Sequence, residues 1–107
     1  MWAQLMTIRS QPENEERLRE VFAQLRAVEQ PGSGLLRTMA MRSQADPATV
    51  YTLVIFESEA HARARENDPR REAGLAQVRA LMGEVLEGPP QFTDLDVIVD
   101  LPGADPA

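Results

Sequence analysis

Residues 50–56, VYTLVIF, are apolar on both alternating sets of positions. Successive side chains of an extended strand point to opposite faces. Val50, Val54 and Phe56 therefore point one way, and Tyr51, Leu53 and Ile55 the other. Both faces of this strand need a cover, in a chain of only 107 residues. A domain of that size keeps much of its surface wet, so the cover has to be economical.

The rest of the chain supplies one layer of it. Residues 2–10, WAQLMTIRS, alternate with a period of two and read as a first strand. Trp2, Met6 and Ile8 share a face with Gln4, while Ala3, Leu5, Thr7 and Arg9 share the other. Gln11-Pro12-Glu13 stops that strand, and Asn14 is expected to cap a helix whose start is acidic. Leu18, Val21, Phe22, Leu25 and Val28 recur at steps of three and four, which makes one apolar stripe. Pro31-Gly32-Ser33-Gly34 turns the chain into a second strand at 35–43. A five-residue turn then leads to the third strand at 49–57, so these two are expected to pair as an antiparallel hairpin.

Ser58 caps a short helix over 59–66, and Asp68-Pro69 breaks it and starts another. Leu75, Val78, Met82 and Val85 form the stripe of that last helix, with Leu81 and Leu86 beside it. Gly88-Pro89-Pro90 ends it, and FTDLDVIVDL, residues 92–101, reads as a fourth strand. Residues 1–101 are thus expected to form one domain, with 102–107 as a flexible C-terminal tail. The order β-α-β-β-α-β predicts an α+β, ferredoxin-like fold: a four-stranded antiparallel sheet with helices on one face.

Helices cover one side of such a sheet. The other side is expected to show Leu5, Leu53, Ile55, Leu95, Val97 and Val99. Burying side chains of this size is worth about 1.5–3 kcal/mol each, so six of them rival the stability of a small domain. The simplest cover is a second copy of the sheet about a two-fold axis, which predicts a homodimeric α+β barrel. Asp94, Asp96 and Asp100 alternate with the apolar residues of the last strand. They read either as a hard-metal site or, preferably, as a solvated rim that discourages edge pairing.

Composition narrows the function classes. The formal charge is −6, from 17 acidic and 11 basic residues, which opposes binding to nucleic acid or to an anionic membrane surface. There is no cysteine, so thiolate chemistry, disulfides and Cys-ligated metals are excluded. No apolar run approaches a membrane span and MWAQLMTIRS does not read as a signal peptide, so a cytoplasmic location is expected.

Three stretches carry a resemblance: QPENEERLREVF after the first strand, QPGSGLLR before the second, and DPATVYTLVIFESEAHARARENDP in the middle. With Phe56-Glu57 closing the third strand and a break at END-Pro69, the chain resembles the antibiotic biosynthesis monooxygenase-like family of the dimeric α+β-barrel superfamily over about residues 2–101. The resemblance implies a dimer with a cavity between sheet and helices in each subunit. It also implies a cofactor-independent monooxygenase acting on a hydrophobic aromatic molecule, a quinol or a polyketide-like phenol. The alternative is a non-catalytic, ligand-binding or structural dimer of the same fold.

The haem-degrading branch of the family places an Asn, a Trp and a His where this chain has Met6, about Ala64 and about Gly74, so haem degradation is not expected. Several quinol-monooxygenase-like relatives carry histidines where this chain has Arg65 and Arg70. Arginine is no base at neutral pH but can hold a phenolate by charge-assisted hydrogen bonds. The plainer reading of both arginines is a surface ion-pair network with Glu66 and Glu72.

The candidate catalytic residues are therefore His61, the only histidine, and Arg65. Histidine changes charge near neutral pH and could serve as a base at the cavity mouth, or simply be solvated. Trp2, Gln4, Met6, Phe22, Tyr51, Phe56 and Met82 are the candidate substrate-binding residues, with plain core packing as the alternative for the apolar ones. No metal or other cofactor is expected. No serine is expected to find a histidine partner.

Overall fold

The computed structural model describes residues 1–106. Four strands, β1 (Trp2–Arg9), β2 (Leu35–Arg42), β3 (Thr49–Phe56) and β4 (Gln91–Asp96), form one sheet in the order β2-β3-β1-β4. All three neighbouring pairs are antiparallel. Three helices, α1 (Glu15–Ala27), α2 (Glu59–Glu66) and α3 (Glu72–Val85), complete the α+β ferredoxin-like arrangement. No helix is long and apolar enough to cross a membrane.

Most boundaries follow local chemistry. The Ser58 side chain accepts the His61 N–H and starts α2. Asp68 accepts the Arg70 N–H, and Pro69 opens a 3₁₀ turn over Pro69–Arg71 that leads into α3. The expected cap at Asn14 is not made. Pro12 starts a 3₁₀ turn over Pro12–Asn14, so Asn14 lies inside a turn and its side chain caps nothing.

The last strand is also shorter than the expected 92–101. β4 pairs only with β1, and Trp2, the first residue of β1, already faces Asp96. Val97 and Val99 therefore leave the ladder. Ile98, Val99 and Leu101 stand largely exposed.

Directly opposed residues share a face, so the register fixes both sides of the sheet. Trp2 opposes Phe56, Gln4 opposes Val54 and Asp94, Met6 opposes Thr52, and Ile8 opposes Val50 on the helix side. Leu5 opposes Leu53, and Ala3 opposes Ile55 and Leu95 on the other. Met39 and Met41 extend that second face across β2. Tyr51, Met41 and Leu95 are exposed on it, and no helix covers it.

The helix side is packed at its two ends. At one end Ile8 and Val50 meet Leu18 and Val21 of α1 and Val78 and Val85 of α3. Ser10 locks this end: its hydroxyl donates to the Val85 carbonyl at 3.2 Å, and Glu87 N–H donates to the Arg9 carbonyl at 2.8 Å. At the other end Trp2 and Phe56 pack under Ala62 of α2 with ring centroids 6.1 Å apart. Gly74 lets α3 approach α1, since a Cβ there would lie 2.0 Å from Val28 Cγ1.

Candidate functional site

Between the two packed ends the helices do not reach the sheet. A cavity of about 840 Å³ opens there, bounded by the sheet, α1 and α3. Its size falls in the range of small-molecule pockets, about 300–1,000 Å³. Met6, Val54, Phe56, Phe22, Leu75 and Met82 supply an apolar wall. Methionine and phenylalanine there can adapt to a flat, aromatic guest.

Polar residues are set among them, two with a buried atom that has no partner among the described residues. Thr52 is 1% exposed, and its hydroxyl has no hydrogen-bond partner among the described residues. Arg71 is 5% exposed; its guanidinium donates to the Arg65 carbonyl at 3.1 Å, while its Nε has no partner. Leaving such groups dry and unbonded costs about 1–3 kcal/mol each, more for a charge. Gln4 lines the same space and is steadied by donating to Asp94 at 3.1 Å.

The charged end of the cavity is built from three elements. Arg65 of α2 clasps Glu29, beyond the end of α1, through Nε at 3.0 Å to both carboxylate oxygens and a terminal nitrogen at 2.8 Å. Burial pushes the Glu29 carboxyl up, but hydrogen bonds from Arg65 and Ser33 and the charges of Arg65 and Arg71 outweigh it and hold the pKa below its ordinary value. The Arg65 guanidinium also sits 5.4 Å from the Phe56 ring centre. Burial, then repulsion from Arg65, lowers the pKa of Arg71.

This differs from the surface network expected for Arg65. Its pair with Glu29 is mostly buried. Glu66 pairs instead with Arg63, Glu72 with Arg79, and Arg70 with Asp68. The Arg70 side chain, and then its backbone N–H, hold the Asp68 carboxyl down at about 2.

The candidate residues divide. Gln4, Met6, Phe22, Phe56, Met82 and Arg65 line the cavity. Trp2 does not: it is buried between Phe56 and Ala62, with the Arg63 guanidinium 5.1 Å above its ring. Tyr51 stands on the opposite face of the sheet, exposed, because its odd register sets it away from the helices.

His61 lies outside the cavity, in a separate depression of about 130 Å³ shared with Ser33, Arg65 and Asp68. It packs on Gly34, where a Cβ would come within 2.5 Å of the imidazole. Contrary to the expectation for the serines, Ser58 Oγ lies 2.6 Å from His61 Nδ1, with Glu57 3.4 Å from Nε2. The same hydroxyl caps α2, so helix geometry brings the pair together. Asp94 is no free rim charge either, since it takes hydrogen bonds from both Gln4 and Arg63. No group of three or more His, Asp or Glu side chains is arranged to hold a metal among the described residues.

Thr52, Glu29 and Arg71 were not among the candidates, although the pattern contained them. Thr52 is the one polar member of the helix-facing set Val50, Thr52, Val54, Phe56. Arg71 lies four residues before Leu75, and Glu29 four after Leu25, so each continues an apolar stripe onto a charge.

The fold and the hollow together define a class: a ferredoxin-like α+β domain with a ligand-sized cavity under its helices. The sequence model of the antibiotic biosynthesis monooxygenase family matches residues 1–89, and the chain belongs to that family. No relative is found among curated proteins. Solved structures share the fold. A Caulobacter crescentus protein assigned to the antibiotic biosynthesis monooxygenases superposes with a TM-score of 0.71 at 21% identity, covering 92% of this chain and 90% of its own. A Bordetella bronchiseptica protein with the same assignment gives 0.69 at 22% identity, covering 92% and 97%. Rv0793 from Mycobacterium tuberculosis gives 0.65 at 18% identity, covering 92% and 96%.

Proposed function

We propose that the cavity of each protomer binds a hydrophobic aromatic phenol or quinol, and that the protein oxidises it with O₂ without a cofactor, as a cytoplasmic homodimer. The observation that carries this reading is an open cavity lined by Thr52 and Arg71, each of which has a buried polar atom, Oγ1 and Nε, without a hydrogen-bond partner among the described residues. Packing alone leaves neither the space nor the orphaned donors.

The chemistry follows from the lining. Guanidinium charge beside a bound phenol favours its anion, and the proton leaves to water. The electron-rich anion supplies the electrons that reduce O₂. For an anthrone, one oxygen atom enters the ring methylene as a carbonyl and the other leaves as water with its two hydrogens. Arg65 and Arg71 hold the oxyanion, Thr52 donates to a second oxygen, and Phe22, Phe56, Met6 and Met82 clasp the rings. Oxygen uptake with a panel of hydroquinones and anthrones, under metal chelation, is the test. Uptake is expected to fall at least tenfold in Arg71→Met; no uptake above the blank at high protein concentration removes the oxygenase reading.

A second reading, ligand binding without turnover, is favoured by one observation. The sole histidine lies outside the cavity, and the two carboxylates lining it, Glu15 and Glu29, are both engaged by arginines. A ligand that binds in the cavity with no oxygen uptake selects that reading.

The homodimer rests on the uncovered sheet face, where Leu5, Leu53, Ile55 and Leu95 form one apolar band across β3, β1 and β4. Leu53→Glu is expected to shift sedimentation from dimer to monomer. A folded, monomeric wild type at micromolar concentration contradicts the pairing.

A further inference from the structure

The chain carries a formal charge of −6, yet its cavity is strongly cationic. Seven of the 11 arginines line it, against two of the 17 acidic residues. Arg19 and Arg26 come from α1, Arg37 and Arg42 from β2, Arg65 from α2, Arg71 from the 3₁₀ turn before α3, and Arg79 from α3. An acidic protein that gathers its cations around one hollow focuses a positive field into it.

Partner counting separates the arginines that are internally balanced from those that are not. Arg19 and Arg42 share Glu15, Arg65 holds Glu29, and Arg79 holds Glu72. Arg26 and Arg37 have no ion-pair partner among the described residues, and both are exposed at the rim. Arg71 is buried and donates only to a carbonyl. Glu29 and Asp68 favour its charge without forming an ion pair, but burial and repulsion from Arg65 outweigh them, so part of its desolvation cost stands. A bound anion relieves that cost, and a neutral aromatic does not.

We infer that the natural ligand is an aromatic molecule with a permanent negative charge, a carboxylate or a similar oxyanion, whose charged group docks on the buried Arg71 while the exposed Arg26 and Arg37 steer it in. This rests on the proposed use of the cavity for an aromatic ligand and narrows it to an anionic class. Arginine suits the task because its planar fork of donors matches an oxyanion.

A matched pair of dyes tests it. 8-Anilinonaphthalene-1-sulfonate and N-phenyl-1-naphthylamine share an aromatic body and differ by one sulfonate. Titrated by fluorescence at low salt, the sulfonate is expected to bind once per protomer and at least tenfold more tightly than the neutral dye. In Arg71→Met, with folding checked by circular dichroism, that ratio is expected to drop below about threefold, with the neutral dye unaffected.

Equal affinities in the wild type overturn the anionic class and leave the aromatic cavity standing. A preference that survives in folded Arg71→Met overturns the assignment to Arg71. Failure of both dyes to bind removes the cavity reading as well. Should Arg71→Met not fold, the rim variant Arg26→Ala/Arg37→Ala decides. It is expected to slow sulfonate association severalfold and flatten its salt dependence, and an unchanged rate counts against the inference.

Discussion

The ends and the middle of one sheet face have been built to different rules. At the ends, Ile8 and Val50 or Trp2 and Phe56 face apolar helix residues and are buried. In the middle, Gln4, Met6, Thr52 and Val54 line the hollow, which Val50 and Phe56 also border from the two ends, although the same strands carry them and the same helices pass overhead. β1 pairs with β3 and β4 in unbroken register, and the one irregularity lies in β2 between Leu35 and Arg37, so the pairing of the central strands does not make the hollow. Side-chain choice does: Thr52 and Gln4 occupy positions that a tight core fills with branched hydrocarbon, and Arg71 caps the end of an apolar helix stripe. Buried apolar packing is concentrated at two clamps, and the space between them is left open.

Four measurements break or sharpen that contrast. Ile8→Ala, at the clamp where Ile8 is 3% exposed, is expected to cost about 2–5 kcal/mol in denaturant unfolding. A loss below about 1 kcal/mol means the clamp is not where stability resides. Gly74→Ala comes next. Helix propensity alone favours alanine by about 1 kcal/mol. The contact at 2.0 Å with the stiff Val28 side chain is expected to reverse the sign, to a net loss of about 1–3 kcal/mol, with Val28→Ala restoring most of it.

In the hollow the sign itself is the test. Thr52→Val removes a buried hydroxyl that has no partner, so stability is expected to rise by about 1 kcal/mol while ligand affinity falls. Destabilisation there indicates that the hydroxyl is satisfied, by water for example, and that the middle is not a strained void. The smallest effect concerns acid. The Glu29 carboxyl is held below its ordinary value of 4.5, so its stabilising share is complete above that pH and is lost as pH falls through the lower, folded value. Glu29→Gln is expected to flatten the stability curve below about pH 4.5 and leave the shape above it unchanged. An unaltered acid limb shows that the Arg65 pair carries no net stability.

The sequence made the clamps legible and the hollow only partly so. Periodicity placed Ile8, Leu18, Val21, Val78 and Phe56 on facing surfaces, because alternation and helical spacing report which side of an element is apolar. They do not report whether two apolar surfaces touch. That depends on how closely the helices approach, which Gly74 and Val28 set through a contact far apart in the chain. Tyr51 was misplaced for a different reason. Alternation already sets it with Leu53 and Ile55 on the face away from the helices, and only the chemistry of its hydroxyl suggested a donor. Val97 and Val99 left the ladder because pairing ends where the partner strand ends, which no local pattern of β4 encodes.

Arg65 borders both the large cavity and the small depression that holds His61. It is the residue the two linings share, and Glu29 pins it. Swinging it aside would merge the two volumes and put the imidazole within reach of whatever occupies the larger one. Arg65→Ala is therefore expected to yield a single continuous chamber, and a crystal structure of that variant with the compartments still separate would show that Arg65 alone does not divide them.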